Sequence, residues 1–390
     1  MKFGILKDIK SGEYRVIATP AEVSVISADS HDVYMASGAG YAAGFDDDEY
    51  RQAGATIVDT NEEIWATCDF VAKVKEIEES EYDLLREGQI LYCCIHPAAH
   101  KQEVDALLKK KIIGFTAEDS HRYGSPNCEA AGKAGAFMGL WSLMTVNGGS
   151  GKFASGLGAA PGVRAIVCGA GVVGRAAIEV LQNMGASVTV ADVNVGVLRA
   201  ISDKYDGKIN TMISNSYNFK RELPTTDLLI NCVRWPKDAK EPMISREMVA
   251  SMRRGSCIVD ISNDYGCIET FHETTHDDPT YIEEGVVHYC VSNIPSAIAG
   301  STSVAYAAGV LPHLRAILNK GVAEACAADG FLRRSLTVYK GYLTHEETSG
   351  IQNRPWVRPE DILKIADRNL DPAPPATFTK SDNFYESYDV

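Results

Sequence analysis

The segment that most constrains this chain is an apolar run that breaks into three spaced glycines. Arg164-Ala-Ile-Val-Cys-Gly-Ala-Gly-Val-Val-Gly174 ends in Gly169-x-Gly171-x-x-Gly174. Helix-like sequence follows, and then a second apolar run, Ser187-Val-Thr-Val-Ala-Asp192. The order is strand, turn, helix, strand. In such a unit Gly169 permits the tight turn, Gly171 lets backbone amides approach a pyrophosphate, and Gly174 lets the helix lie close on the strand. The first helical residues, Val172 and Val173, present N–H groups and the positive end of the helix dipole to an anion. Asp192 is placed to accept hydrogen bonds from ribose hydroxyls and to repel a 2′-phosphate. The segment predicts a dinucleotide site that takes NAD rather than NADP.

The chain's 390 residues are enough for about two or three domains. Its formal net charge of −14 speaks against nucleic acid as a partner, because a polyphosphate surface needs clustered cations. The start, Met1-Lys-Phe-Gly-Ile-Leu-Lys-Asp, lacks the apolar core of a signal peptide. No uninterrupted run of about eighteen apolar residues suggests a membrane span. The ten cysteines follow no framework spacing. Cys93, Cys168, Cys232, Cys257 and Cys290 lie in strand-like runs, where they read as small buried hydrophobes of a reducing compartment. A soluble cytoplasmic protein with no membrane partner is expected.

Residues 1–120 alternate short β-like runs (Phe3-Gly-Ile-Leu, Asp32-Val-Tyr-Met, Phe70-Val-Ala-Lys-Val, Ile90-Leu-Tyr-Cys-Cys-Ile, Ile112-Ile-Gly-Phe) with helical patterns. That alternation predicts a parallel sheet covered by helices. It carries no phosphate-binding glycines, so it reads as the substrate half. A helix rich in small residues is expected over 129–145, with Asn147-Gly-Gly-Ser-Gly-Lys after it as a hinge. Later strands of the dinucleotide domain are expected at Asp227-Leu-Leu-Ile-Asn-Cys-Val, Cys257-Ile-Val-Asp-Ile-Ser and Val286-Val-His-Tyr-Cys-Val. A second small-residue helix then follows over 300–319. The Pro-rich, acidic end, from 366 to 390, reads as a flexible tail.

These pieces together resemble the alanine dehydrogenase family and, more loosely, lysine-forming saccharopine dehydrogenase and the NAD-binding subunit of proton-translocating transhydrogenase. The resemblance rests on Leu6-Lys-Asp-Ile-Lys-x-x-Glu-Tyr-Arg-Val-x-x-Thr-Pro20, Gly38-Ala-Gly-Tyr-x-x-Gly44-Phe, Val71-Ala-Lys-Val-Lys-Glu76 and the run ending in His96. Asn147-Gly-Gly, the glycine fingerprint, Val259-Asp-Ile-Ser-Asn-Asp264 and Thr275-His-Asp-Asp-Pro279 complete it. It implies an α/β fold of two Rossmann-like domains with parallel sheets and an active-site cleft between them. The substrate domain would be discontinuous, taking 1–129 and 299–365, with the NAD-binding domain at 130–298. A homo-oligomer is the family expectation.

An amino-acid dehydrogenase must fix a carboxylate, polarise a carbonyl or imine and move a proton, while the cofactor carries the hydride. By resemblance Arg15 binds the substrate carboxylate, a task suited to a guanidinium fork; the plainer reading is a surface arginine. Lys75 closes the strand that begins at Phe70, where α/β ligand sites form, and by resemblance holds the substrate's carboxylate or keto oxygen. Lys73, two residues earlier and on the same face by alternation, fits a solvated strand-end lysine better. The resemblance makes His96 the general acid/base, a role available to histidine near neutral pH. It makes Asp264 a third catalytic group and places Asn293 by the nicotinamide and substrate. Asp260 reads as structural. Ser214 and Val233 are cofactor-binding candidates by position. Cys93, Cys94, His96 and His100 do not read as a metal site, since neighbouring strand residues face opposite ways and no CxxC accompanies them; His276-Asp-Asp-Pro reads as a capped turn.

Three positions depart from the family pattern. Cys94 stands where a tyrosine is usual, Gly300 where an arginine is usual, and Arg234-Trp-Pro-Lys replaces an apolar segment. The expectation is a wider pocket. The leading function is reversible, NAD-dependent oxidative deamination of a small L-amino acid to a 2-oxo acid. An opine- or saccharopine-type enzyme, joining a 2-oxo acid to an amino acid's amine, is the near alternative. A non-catalytic NAD-binding sensor is the distant one.

Overall fold

The computed structural model describes residues 1–236, 239–263 and 265–374. The expectations that involve Lys237, Asp264 and residues 375–390 lie outside the described residues. The chain divides into two compact units, unit 1 from Met1–Pro126 with Ala299–Val390 and unit 2 from Asn127–Ile298. Unit 1 is therefore discontinuous in sequence.

In unit 1 six strands run parallel: β1 (Lys2–Ile5), β2 (Asp32–Ala36), β3 (Ala55–Val58), β4 (Phe70–Lys75), β5 (Ile90–Cys94) and β6 (Ile113–Thr116). Their order across the sheet is β3-β2-β1-β4-β5-β6, so the first strand lies inside and the chain winds outward both ways. Two strands from the C-terminal part, β14 (Leu336–Tyr339) and β15 (Tyr342–Leu343), extend the β6 edge antiparallel. The sheet is thus mixed at one edge rather than wholly parallel. Phe3, Ile5, Phe70, Val71, Leu91 and Phe115 are fully buried, as a sheet covered on both faces requires.

The helix Ala299–Lys320 buries Tyr306, Val310, Leu314 and Ile317 in this same core. Among the described residues, Ile294–Lys320 is long and apolar enough to cross a membrane by length and composition alone, although polar residues interrupt its apolar run. Its apolar side is already spent on the core of unit 1. Residues 366–374 do not form the loose tail expected of them. Asp371 accepts from the Gly330 amide at 2.8 Å and pairs with Arg122, and Arg334 donates to the Pro374 carbonyl at 3.0 Å.

Unit 2 contains β7 (Arg164–Cys168), β8 (Ser187–Asp192), β9 (Asn210–Ile213), β10 (Leu228–Asn231), β11 (Cys257–Asp260), β12 (Thr280–Glu283) and β13 (Val286–Tyr289). The order is β12-β13-β11-β10-β7-β8-β9, parallel except for β12. The small-residue helix spans Pro126–Ser142. Its Gly132, Gly135 and Gly139 let it sit tight on the unit: a Cβ on Gly132 would lie 2.1 Å from the Val173 carbonyl oxygen, and one on Gly139 would lie 2.8 Å from Leu228. The expected hinge after it is tied down. Ser150 N donates to Gly255 O at 2.8 Å, Gly151 N to Leu143 O at 2.7 Å, and Lys152 Nζ reaches Asp227 Oδ2 at 2.7 Å.

Each unit puts its first strand next to its fourth, β1 beside β4 and β7 beside β10. Loops leaving such a pair diverge, and the crevice at the strands' carboxyl edge is where α/β folds bind ligands.

Candidate functional site

At the carboxyl edge of the unit 1 sheet, the neighbouring strands β1, β4, β5 and β6 each end in or lead to a charged side chain. Arg15 follows β1, and its guanidinium is not a surface group: 4% of the residue is exposed. Glu13 engages one side of it, accepting from Nε at 2.8 Å and from Nη2 at 2.5 Å, and also accepts the Arg15 amide at 2.8 Å. Burial disfavours the guanidinium's charge, but the Glu13 carboxylate outweighs it and raises the pKa. The fork assigned to substrate is thus already held along one side by a residue that sequence reasoning gave no role.

Lys75 ends β4 with 15% of its side chain exposed, its Nζ 3.3 Å from Glu76 Oε2. Burial pushes its pKa down and Glu76 pulls it up, with a net rise, so the ammonium stays charged. Burial would raise the Glu76 pKa, but Lys75 and Lys10 hold the carboxyl well below its usual range. Lys73, expected in solvent, is fully buried: its Nζ is 2.8 Å from Glu81 Oε2 and 3.4 Å from Asp8 Oδ1.

His96 follows β5 with φ at 49°, a left-handed backbone that costs a residue other than glycine about 1–3 kcal/mol. Glu118, just past β6, holds it there. Glu118 Oε1 accepts the His96 amide at 2.7 Å and lies 3.1 Å from its Nδ1. The Glu118 charge pulls the imidazole pKa up, yet crowding by protein atoms and the positive charge of Lys75 outweigh it, and the value falls below the ordinary one. The ring remains partly open, with 45% of the side chain exposed, so its desolvation is incomplete.

Arg15, Lys75 and His96 therefore share one edge, and the field of each reaches another: Lys75 feels Arg15, and His96 feels Lys75. Arg15 lines a cavity of about 350 Å³ together with Lys7, Asp8, Glu13, Tyr14 and the Gly38–Ala42 loop; Lys75 and His96 are not part of that lining. Cys94 is buried beside an aromatic ring. The Tyr306 hydroxyl lies 3.4 Å from its Sγ, and both residues are buried, so a phenol from the helix Ala299–Lys320 occupies space next to the small thiol. Gly300 begins that helix against the loop at Ala43, whose carbonyl oxygen would lie 3.2 Å from an added Cβ.

In unit 2 the three glycines behave as three different devices. Gly169 adopts φ 84° and donates to Ala191 O at 2.7 Å. A Cβ on Gly174 would lie 1.9 Å from the Gly169 carbonyl oxygen, so the helix Val172–Asn183 can sit on the turn only with glycine there. Among the described residues, a Cβ on Gly171 would meet nothing within 4 Å. Space is left open at the position that a pyrophosphate would need. Among the described residues no side chain caps this helix, which leaves its first turn, with Val172 and Val173, to an anion. The cradle fits a dinucleotide.

Asp192 Oδ2 accepts from the Ala170 amide at 2.8 Å and Oδ1 from the Asn194 amide at 2.9 Å. The carboxylate thus ties the fingerprint loop to the end of β8, and each oxygen keeps a further lone pair for a ribose hydroxyl. Ser214 donates its amide to Asp192 O at 3.0 Å. Val233 packs toward Gly169, its Cγ2 3.2 Å from where a Cβ would stand. Asp260 Oδ1 accepts from the amides of Ser262 and Asn263 at 3.1 Å each. Asn293 is buried, and its carbonyl accepts from the Ser296 amide at 3.0 Å and lies 2.9 Å from His276 Nε2. His276 thus secures the Asn293 loop.

Set beside known proteins, residues 136–346 match the family described as alanine dehydrogenase/PNT, C-terminal domain, and residues 4–125 match its N-terminal domain. An alanine dehydrogenase of Methanococcus maripaludis is 38% identical over 374 residues, covering 93% of this chain and all of the relative. One from Mycolicibacterium smegmatis is 35% identical over 353 residues, covering 89% and 95%. Among solved structures, an L-alanine dehydrogenase superposes with a TM-score of 0.85 at 31% identity, covering 90% of this chain and 99% of that one. A transhydrogenase from Sinorhizobium meliloti, 21% identical with a TM-score of 0.72, covers 89% and 99% and shares the fold.

Proposed function

The chain belongs to the alanine dehydrogenase/PNT family, and from that premise we propose that it is an NAD-dependent oxidoreductase that interconverts a small L-amino acid, alanine first, with its 2-oxo acid and ammonia. The observation that carries this reading is the joint placement of a buried guanidinium, an ammonium and an imidazole at Arg15, Lys75 and His96, in a chain whose other unit holds an open glycine cradle.

Arg15 and Lys75 are the cations that hold the substrate. Glu13 and Glu76 keep both charged and aimed, so that no reorganisation is needed when a carboxylate arrives. Lys75 also polarises the keto oxygen of the 2-oxo acid. His96, with Nδ1 fixed by Glu118, keeps Nε2 for proton transfer. In the deaminating direction it takes the proton of the water that adds to the imine carbon, and in the reverse direction it returns a proton to the departing oxygen. A proton-transfer group of this kind contributes about 10²–10⁴-fold. NAD, when bound by Gly169, Gly171, Val172, Val173, Gly174 and Asp192, supplies the hydride acceptor. Asn293, Ser214 and Val233 are assigned supporting contacts, and Asp264 a further catalytic role.

The test is a panel of NADH oxidation assays with pyruvate and longer 2-oxo acids, each with ammonia or with an amino acid as nitrogen donor. Turnover with pyruvate and ammonia supports the reading. Turnover only with an amino-acid amine makes the chain an opine-type enzyme, and NADH binding without turnover makes it a sensor. The reading also expects a cytoplasmic homo-oligomer, which light scattering of the purified protein addresses.

A further inference from the structure

We propose that Asp8 is a positioning residue for Lys75, acting through a bulge in β4 that its carboxylate clamps. The β1–β4 ladder ends where Ile5 stands opposite Ala72 and the Leu6 amide donates to Ala72 O at 3.0 Å. Beyond that point the backbone of the first strand turns away, with the Lys7 amide donating to Asn61 instead. Asp8 takes over as acceptor: its Oδ2 receives the amides of Val74 at 3.1 Å and Lys75 at 3.0 Å. On the other side, β4 pairs with β5 through Ala72 opposite Tyr92 and then slips, so that Lys75 lies opposite Cys94. The step from Ala72 to Lys75 on β4 is one residue longer than the step from Tyr92 to Cys94.

That extra residue resets the alternation of side chains, as a bulge does. Regular alternation would put Lys73 and Lys75 on one face. Instead Lys73 is fully buried, its Nζ 3.4 Å from Asp8 Oδ1 and 2.8 Å from Glu81 Oε2, while Lys75 keeps 15% of its side chain exposed with its Nζ 3.3 Å from Glu76 Oε2. The bulge decides which lysine enters the core and which meets substrate. Burial raises the Asp8 pKa, and the fully buried Lys73, 3.4 Å from its Oδ1 and itself held by Glu81 at 2.8 Å, works against that rise. Without Asp8, two amides in a buried segment lose their acceptor, and the cheapest repair is to straighten β4 and turn Lys75 away.

The inference rests on reading Lys75 as the substrate-binding lysine, so Lys75→Ala is measured beside it. The readout is the affinity of pyruvate for the enzyme–NADH complex, followed by nucleotide fluorescence, which needs no turnover. Asp8→Ala should weaken pyruvate binding strongly, with a fall in kcat/KM of about 10²-fold, the scale set by misplacing a binding group by an ångström. Its affinity for NADH should stay within about twofold of the parent, the usual margin for independent sites. In a Lys75→Ala background the same substitution should have almost no further effect on pyruvate, because the group that it positions is gone. Equal losses in both backgrounds, or no loss on Asp8→Ala, overturn the inference while leaving Lys75 as a ligand. An unchanged pyruvate affinity in Lys75→Ala overturns the assignment of Lys75 and this inference with it. If Asp8→Ala does not fold, Asp8→Glu enters the same cycle: it keeps the charge for Lys73 but displaces the oxygen, and the same pattern of losses is expected.

Discussion

A single oxygen of Glu118 secures His96 twice, accepting its backbone amide at 2.7 Å and lying 3.1 Å from its Nδ1. The first contact holds a left-handed residue that immediately precedes a proline. The second fixes which ring nitrogen carries the proton. Since the Glu118 charge is the largest influence raising the His96 pKa, Glu118→Gln should lower that pKa further. The acid limb of the deamination profile, which needs neutral His96, should then move to lower pH, with kcat reduced by about tenfold or more as the ring loses its orientation. A pH–rate profile of the variant checks this; an acid limb that stays put or moves upward contradicts it.

Glu13 is predicted to matter for folding as well as for binding. Its carboxylate compensates a guanidinium that is almost wholly out of water, and removing one member of a buried pair costs about 3–5 kcal/mol. Glu13→Ala should lower the denaturation midpoint of unit 1 and raise the KM for the 2-oxo acid. Denaturant titration and steady-state kinetics read the two effects separately.

The glycines at 171 and 174 should fail in opposite ways. At Gly174 an added methyl meets a carbonyl oxygen at 1.9 Å, so Gly174→Ala must displace helix or turn, at a cost of about 1–3 kcal/mol or more. At Gly171 the added methyl meets nothing, so Gly171→Ala should leave the melting temperature nearly unchanged while weakening NADH binding by intruding on the anion's space. Calorimetry with and without NADH separates the two.

Two buried titratable groups give stability opposite pH dependences. Glu103, desolvated by burial despite His100 beside it, has its pKa raised to about 7 from 4.5. The folded state thus binds more protons than the unfolded state between those values, and stability falls as pH rises through them, by about 3 kcal/mol. His288, fully buried with Nε2 2.8 Å from Thr270 Oγ1, has its pKa lowered by burial to about 4 from 6.5. There the unfolded state binds more protons, and a similar stability is lost as pH falls from 6.5 to 4, again about 3 kcal/mol. Glu103→Gln should therefore raise the melting temperature at pH 8 but not at pH 4, and the protection factors of the β13 amides, corrected for intrinsic exchange, should fall below pH 6.

The central strands of both sheets were legible because they are buried on both faces and read as apolar runs, as in Leu228–Ile230 and Cys257–Val259. The edge strands β9 and β12 were not: most of their side chains are exposed or only half-buried, so no periodic signal marks them. Arg15, Lys75 and His96 stood out as candidates because each closes or follows a strand within a familiar motif. Their carboxylate partners Glu13, Glu76 and Glu118 look like ordinary surface acids until the fold places them, although the spacing Glu13-x-Arg15 carried a hint. Lys73 was misjudged because alternation was counted through a bulge that nothing in Val71-Ala-Lys-Val-Lys announces. The neighbour of Cys94 was not legible either: Tyr306 is more than two hundred residues away in sequence but its hydroxyl is 3.4 Å away in space.

The most direct test of the account is the rate of NADH oxidation by the purified chain with pyruvate and ammonium, compared with His96→Ala under the same conditions. The account predicts turnover by the parent and a loss of about 10²–10⁴-fold in the variant, with NADH binding intact in both. A parent protein that binds NADH but turns over no 2-oxo acid with ammonium, or a His96→Ala variant as fast as the parent, would contradict it.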